Sequence, residues 1–154
     1  MPKWSLDLQK YAEARKEQID IIRKKYAFKL YSQIVQRTPV DTGRARGNWN
    51  ISIGADDTST NDKNIKPKYT NENDMPKPDG DEAIFISNHL PYIGVLEYGK
   101  YPDPPKKGSY DKKHKRWVIK SSGGFSKMAP RGMVGVTLAK TKDILAQAVS
   151  ESKK

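Results

Sequence analysis

Apolar residues recur at steps near three and four through the first quarter of the chain: Leu8, Tyr11, Ala12, Ile19, Ile22, Tyr26, Leu30 and Ile34. That spacing marks one face of an α-helix. It predicts a helix over 6–37, a stretch with no Gly or Pro. Arg15 stands where the stripe should continue, so the face is thinner near its start. Thr38-Pro39 ends the helix, because the residue before a proline avoids the helical region. At ~1.5 Å per residue the helix would be ~48 Å long. A compact chain of this size has a radius of gyration near ~15 Å. The helix is therefore expected to project beyond its own domain, with a free end that needs a neighbour.

After the helix the periods shorten. Residues 40–47 read as a turn with a single helical turn, capped by Asp41 or Thr42. Trp49-Asn50-Ile51-Ser52-Ile53 alternates apolar and polar and predicts a half-buried strand. Residues 54–82 are polar almost throughout, with Ile65, Tyr69 and Met75 as the available anchors. So long an excursion predicts a mobile loop or an arm that orders against a neighbour. Residues 83–87 form a second strand, and 91–98 a short helix with Ile93, Val95, Leu96 and Tyr98. Residues 100–116 look irregular. Residues 117–119 suggest a third strand, and Gly123-Gly124 lies in a polar link over 121–127. A final helix is expected over 130–150, with Pro130 in its first turn. Val134, Leu138, Leu145, Ala148 and Val149 would form its apolar face. The two extended loops are thus 54–82 and 100–127.

Composition narrows the classes. The 154 residues fit one domain, residues 1–154. Charged residues make up 31% and mean hydropathy is −0.86, so the core must be modest. There is no Cys, which removes disulfides, thiolate metal sites and a thiol nucleophile. No apolar leader and no run of ~20 apolar residues is visible, so neither secretion nor a membrane span is expected. The sequon Asn50-Ile51-Ser52 reads as a chance match. Net charge is +11, unevenly spread: residues 54–82 carry −4 while 83–128 carry +6. Charge of this size favours a polyanion or an acidic protein surface as partner.

Catalytic chemistry finds no constellation. His89 and His114 stand 25 positions apart, outside any metal-ligand spacing. Ser121-Ser122-Gly123-Gly124 lacks the spacing of a phosphate-binding loop. The stretch from Asp57 resembles a calcium loop, but Asp62 replaces the glycine at position six and Lys68 the glutamate at twelve. No enzyme, cofactor or metal is expected. The basic cluster Lys106, Lys107, Lys112, Lys113, Lys115 and Arg116 is more informative. It is interleaved with Tyr101, Tyr110 and Trp117. Lysines and arginines contact phosphates and aromatics stack on bases, so DNA or an acidic partner is a candidate. The plainer reading is a solvated loop with Trp117 in the core.

The segment Thr38-Pro39-Val40-Asp41-Thr42-Gly43-Arg44-Ala45-Arg46-Gly47-Asn48-Trp49 resembles the signature of the small neck, or tail-completion, proteins of long-tailed bacteriophages. A second block, Tyr92-Ile93-Gly94-Val95-Leu96-Glu97-Tyr98-Gly99, and a third, Met128-Ala129-Pro130-Arg131-Gly132-Met133, follow in that family's order. The third block departs from the usual Pro-Phe pair. The resemblance implies an α+β fold in which N- and C-terminal helices pack on a small, mainly antiparallel sheet. It implies a non-catalytic virion protein of the head–tail junction, made in the host cytoplasm. The protein would form a homo-oligomeric ring around the DNA channel, between the connector or head-closure protein and the tail-terminator or tail-tube protein.

Within the signature, Asp41, Thr42 and Gly43 suit a tight turn, with Asp41 accepting backbone N–H groups and Gly43 free to take positive φ. Arg44 and Arg46 need not share a face: one can hold Glu97 or a carbonyl while the other meets a partner. Leu8, Tyr11, Ile19 and Arg44 are the interface candidates. Trp49 and Tyr98 are expected in the core. The alternative function is a free-standing, sequence-nonspecific nucleic-acid-binding protein.

Overall fold

The computed structural model describes residues 3–106 and 108–153, with side chains from Asp7 onward. The class is α+β: a long N-terminal helix, a C-terminal helical pair and small antiparallel strand pairs. Helix α1 spans Lys3–Arg37, and α2 is the single turn Arg44–Gly47. Strand β1 (Asn50–Ile53) pairs antiparallel with β2 (Ile84–Ser87), Ile51 opposite Ile86. Helix α3 is Ile93–Tyr98. Two hairpins follow: β3 (Ser109–Asp111) with β4 (Arg116–Val118), and β5 (Ser121–Ser122) with β6 (Phe125–Ser126). Helices α4 (Val134–Leu138) and α5 (Thr141–Ser152) close the chain. The strands thus form three two-stranded pairs instead of one sheet, and the polar link over 121–127 is itself a hairpin.

The core gathers on the second half of α1. Ala27, Tyr31, Ile34 and Val35 are buried there, and Trp49, Ile51, Leu96, Ala129 and Met133 meet them. The first half of α1 buries nothing comparable. Every side chain over 7–17 is exposed, and Leu8, Tyr11 and Ile19 are each more than half exposed. The first half of the apolar stripe thus buries no large apolar side chain among the described residues.

Three expectations change. Residues 54–82 have anchors on their own chain, although most of 54–68 is exposed. Tyr69 sets its ring edge-on to Tyr31 at 5.6 Å, and Met75 and Pro78 are buried. The Arg23 guanidinium donates to the carbonyls of Gly80 and Glu82, and Lys25 pairs with Glu72 at 3.3 Å. Buried aromatic and apolar side chains each contribute ~1.5–3 kcal/mol, so a few suffice to pin a long polar segment. Second, Tyr98 is 69% exposed and outside the core, whereas Trp49 is buried as expected.

Third, the C-terminal helix is two helices and starts later. Gly132 sits at φ +78°, a left-handed turn that no helix running from Pro130 can contain. The buried face is Met133, Thr137, Ile144 and Ala148, one position away from the predicted one, and Leu138 and Leu145 stay exposed. Thr137 can replace an apolar residue because its hydroxyl donates to the Met133 carbonyl at 2.8 Å and accepts from Arg37 at 2.9 Å.

One side chain joins α3 to this C-terminal unit. The Glu97 carboxylate accepts the N–H groups of Met133 (2.7 Å), Val134 (2.9 Å) and Gly135 (2.9 Å). These are the otherwise unpaired first amides of α4. A Cβ on Gly132 would come within 2.5 Å of the Glu97 carbonyl oxygen, so only glycine lets the turn close on it. Hydrogen bonds to a charged group contribute ~1.5–3 kcal/mol each. The exposed pair Lys29–Glu151, which links α1 to α5 at 2.9 Å, falls in the ~0–1 kcal/mol class. The Glu97 clamp therefore dominates. Glu97→Ala is expected to cost roughly 2–4 kcal/mol and to lower Tm by roughly 5–10 °C, with Glu97→Gln losing less; thermal melts of the three proteins check this.

Candidate functional site

The signature turn is built on the end of α1. Thr38 is fully buried and its hydroxyl donates to the Ile34 carbonyl at 2.8 Å. The same oxygen accepts the Trp49 indole N–H at 2.9 Å. Arg46 turns back over the helix end: its Nε donates to the Thr38 carbonyl (2.8 Å) and its Nη2 to the Gln36 carbonyl (3.0 Å). A guanidinium there satisfies carbonyls that the helix cannot, and meets the negative end of its dipole. Asn48 is buried; its amide donates to the Arg44 and Asn61 carbonyls and accepts the Asn61 N–H at 2.7 Å.

The N-cap of α2 is Gly43 at φ +91°, with no side-chain cap. Asp41 and Thr42 therefore do not cap it as expected. Among the described residues Thr42 accepts only the Arg44 N–H, at 3.3 Å, and Asp41 accepts no backbone amide but pairs with Lys120 at 2.8 Å. A Cβ on Gly43 would stand 2.2 Å from the Ile65 carbonyl oxygen, so the long polar segment closes directly over the turn. Arg44 pairs with Asp62 of that segment and lies 5.6 Å from the centre of the Tyr92 ring. Of the two arginines, Arg46 holds carbonyls, and Arg44 is half-buried between a carboxylate and an aromatic face. Neither holds Glu97.

A groove of about 520 Å³ opens beside the turn. Val40, Tyr92, Tyr101, Ile119, Lys120 and Met128 line it, and Val40, Ile119 and Met128 form exposed apolar lips. Burial pushes the Tyr92 and Tyr101 phenols above their usual value, with Arg44 pulling Tyr92 partly back. They remain protonated donors at neutral pH. Asp41, Arg44 and Lys127 complete the polar part of the lining. Among the described residues no group of three or more His, Cys, Asp or Glu side chains is placed to hold a metal ion.

The basic cluster splits. Lys106 lies ahead of β3, and Lys107 is outside the described residues. Lys112, Lys113, Lys115 and Arg116 are exposed at the tip of the β3–β4 hairpin. Trp117 is 65% exposed, not in the core, and packs edge-on to its cross-strand partner Tyr110 at 5.7 Å. The tip is shaped by Asp111, which accepts the N–H groups of Lys113 (3.0 Å) and His114 (3.3 Å) and the His114 ring at 2.7 Å. Lys115 takes φ +50° to complete it. Nothing in the residue types announced this aromatic pair as exposed; the signal was the strand register, which puts residues 110 and 117 on one face.

The three motif blocks, far apart in sequence, meet in space: Arg44 on Tyr92, Glu97 on Met133, and Ala45, Leu96 and Ala129 in one core. Leu8, Tyr11 and Ile19 stand well away from them on the first half of α1. No protein-family model matches the chain, and no curated protein and no solved structure matches it. Among the described residues no helix is long and apolar enough to cross a membrane.

Two outcomes follow. Arg46→Lys keeps the charge but cannot reach both carbonyls, and should destabilise the fold by about 1–3 kcal/mol in denaturant titration. The His114 ring hydrogen bond, helped by the backbone N–H groups of His114 and Lys113, holds the Asp111 carboxyl below the usual carboxylate range. A lowered folded-state value means the turn is stabilised above the unfolded value near ~3.9 and loses this as pH falls through the folded value. By NMR, Asp111 should titrate below the ordinary carboxylate range, and His114→Ala should raise it.

Proposed function

We propose that the chain is a structural subunit of the phage head–tail junction, a neck or tail-completion protein. It forms a ring around the DNA channel and joins the connector or head-closure side to the tail-terminator or tail-tube side. The observation that carries this reading is the convergence of the three motif blocks on one clamped core, while half of a long helix is left over. A motif spent on internal hydrogen bonds, as Arg46, Asn48 and Glu97 are, supports a scaffold role. The exposed Leu8, Tyr11 and Ile19 face supplies a docking surface for an adjoining subunit.

Replacing Leu8, Tyr11 and Ile19 by Ser is expected to leave circular dichroism and melting unchanged, because these side chains bury little. Complementation of a phage lacking the gene should then yield unjoined heads and tails. Normal infectivity from the triple variant contradicts the reading, as does failure of that variant to fold.

The second reading, a free-standing nucleic-acid-binding protein, draws on the β3–β4 tip. Its four cations make no ion pair among the described residues. Tight duplex binding by the purified chain would favour it. Weak binding that collapses with salt fits DNA merely passing through a ring.

A further inference from the structure

The β3–β4 hairpin concentrates positive charge that its own residues do not offset. Lys112, Lys113, Lys115 and Arg116 are exposed, and none makes an ion pair among the described residues. The hairpin's one carboxylate, Asp111, is taken up inside the turn by the His114 ring and the N–H groups of Lys113 and His114. The same hairpin holds two rings on one face, Tyr110 46% exposed and Trp117 65% exposed. They meet edge-on at 5.7 Å, a contact that covers part of one ring and leaves ring face open to solvent. The groove beside Val40 is lined by Gly108, Ser109 and Ile119 but by neither ring. The rings are thus a flat platform and not the wall of that groove. A strand rises ~3.3 Å per residue, so Trp117 lies close behind Lys115. Arg116 alternates onto the opposite face.

Uncompensated cations beside flat exposed rings complement a chain of phosphates and unstacked bases. A duplex offers the phosphates, but its bases are already stacked and cannot cover Trp117. A lipid surface takes up rings at the extremity of a loop, whereas this tip is cationic and the rings lie beneath it. An acidic peptide satisfies the lysines, but its apolar anchors need a pocket, which two flat rings do not make. We propose that the β3–β4 hairpin binds a nucleic-acid single strand, with Lys112, Lys113 and Lys115 on phosphates and Trp117, steadied by Tyr110, stacked on a base. The contact reads no sequence, because every base offers a ring face. This deepens the nucleic-acid reading above and rests on it, and it asks nothing of the ring.

The test is fluorescence anisotropy with the full chain over a range of salt. The probes are labelled oligo-dT, oligo-rU, a duplex and an abasic strand, all of one length. Oligo-dT should bind more tightly than the duplex or the abasic strand by about fivefold or more. Trp117→Ala should weaken oligo-dT binding by about fivefold or more and leave its salt dependence unchanged, while Trp117→Phe, which keeps a ring, should retain most of it. Lys112→Ser with Lys113→Ser and Lys115→Asn should flatten the slope of log affinity against log salt by about 2. Asn suits position 115, where φ is +50°. If that variant fails to fold, Lys112→Ser with Lys113→Ser should flatten the slope by about 1.4. Binding of either oligo-dT or oligo-rU supports the proposal, and the tighter of the two names the sugar. A duplex or an abasic strand bound as tightly as oligo-dT overturns the stacked strand and leaves the nucleic-acid reading standing. No binding to any probe at low salt overturns both. Polyglutamate that competes as well as unlabelled oligo-dT overturns the proposal in favour of an acidic protein partner.

Discussion

The Glu97 carboxylate, with its three amide donors, is the contact on which the arrangement of this small protein depends. Its backbone belongs to α3 and its side chain ends at the start of α4. It therefore fixes the start of the C-terminal helices directly against α3. Gly132 is required for the approach, and the buried Met133 follows immediately. From Met133 the face through Thr137, Ile144 and Ala148 is aimed at the buried half of α1. A polar chain with a modest core gains definition from a few charge-assisted hydrogen bonds of this kind, because each exceeds what an exposed ion pair contributes.

Much of this was legible in the sequence where the signal was local. The period of α1, its stop at Thr38-Pro39, the strand around Ile51 and the short helix around Leu96 all follow from spacing and breakers. Positions governed by distant partners were not legible. Nothing in Glu97 announces a carboxylate capping a helix 36 residues away. Thr137 reads as polar surface until Arg37 and the Met133 carbonyl are seen to satisfy its hydroxyl. The segment 54–82 reads as unanchored because its anchors, Tyr69, Met75 and Pro78, are few and widely spaced. Their burial depends on Tyr31 and Arg23 of α1. Tyr98 and Trp117 were misjudged because aromatic identity says little about which side of a short element faces inward.

The candidate site divided along the same line. Gly43 and Arg46 proved to be internal parts of the turn, fixed by a close backbone approach and by orphan carbonyls. Arg44, Asp41 and Lys120 remain at its surface beside an apolar-lipped groove. The four cations of the β3–β4 tip make no ion pair among the described residues. The motif is thus spent on internal clamping, while the first half of α1 leaves Leu8, Tyr11 and Ile19 exposed.

Electron cryomicroscopy of virions made with this chain tests that account most directly. The account predicts density for a closed ring of copies at the head–tail junction. The clamped core should be arranged around the channel, with the first half of α1 reaching an adjoining subunit. Virions whose junction lacks the chain, or a junction in which the first half of α1 faces only solvent, would contradict it.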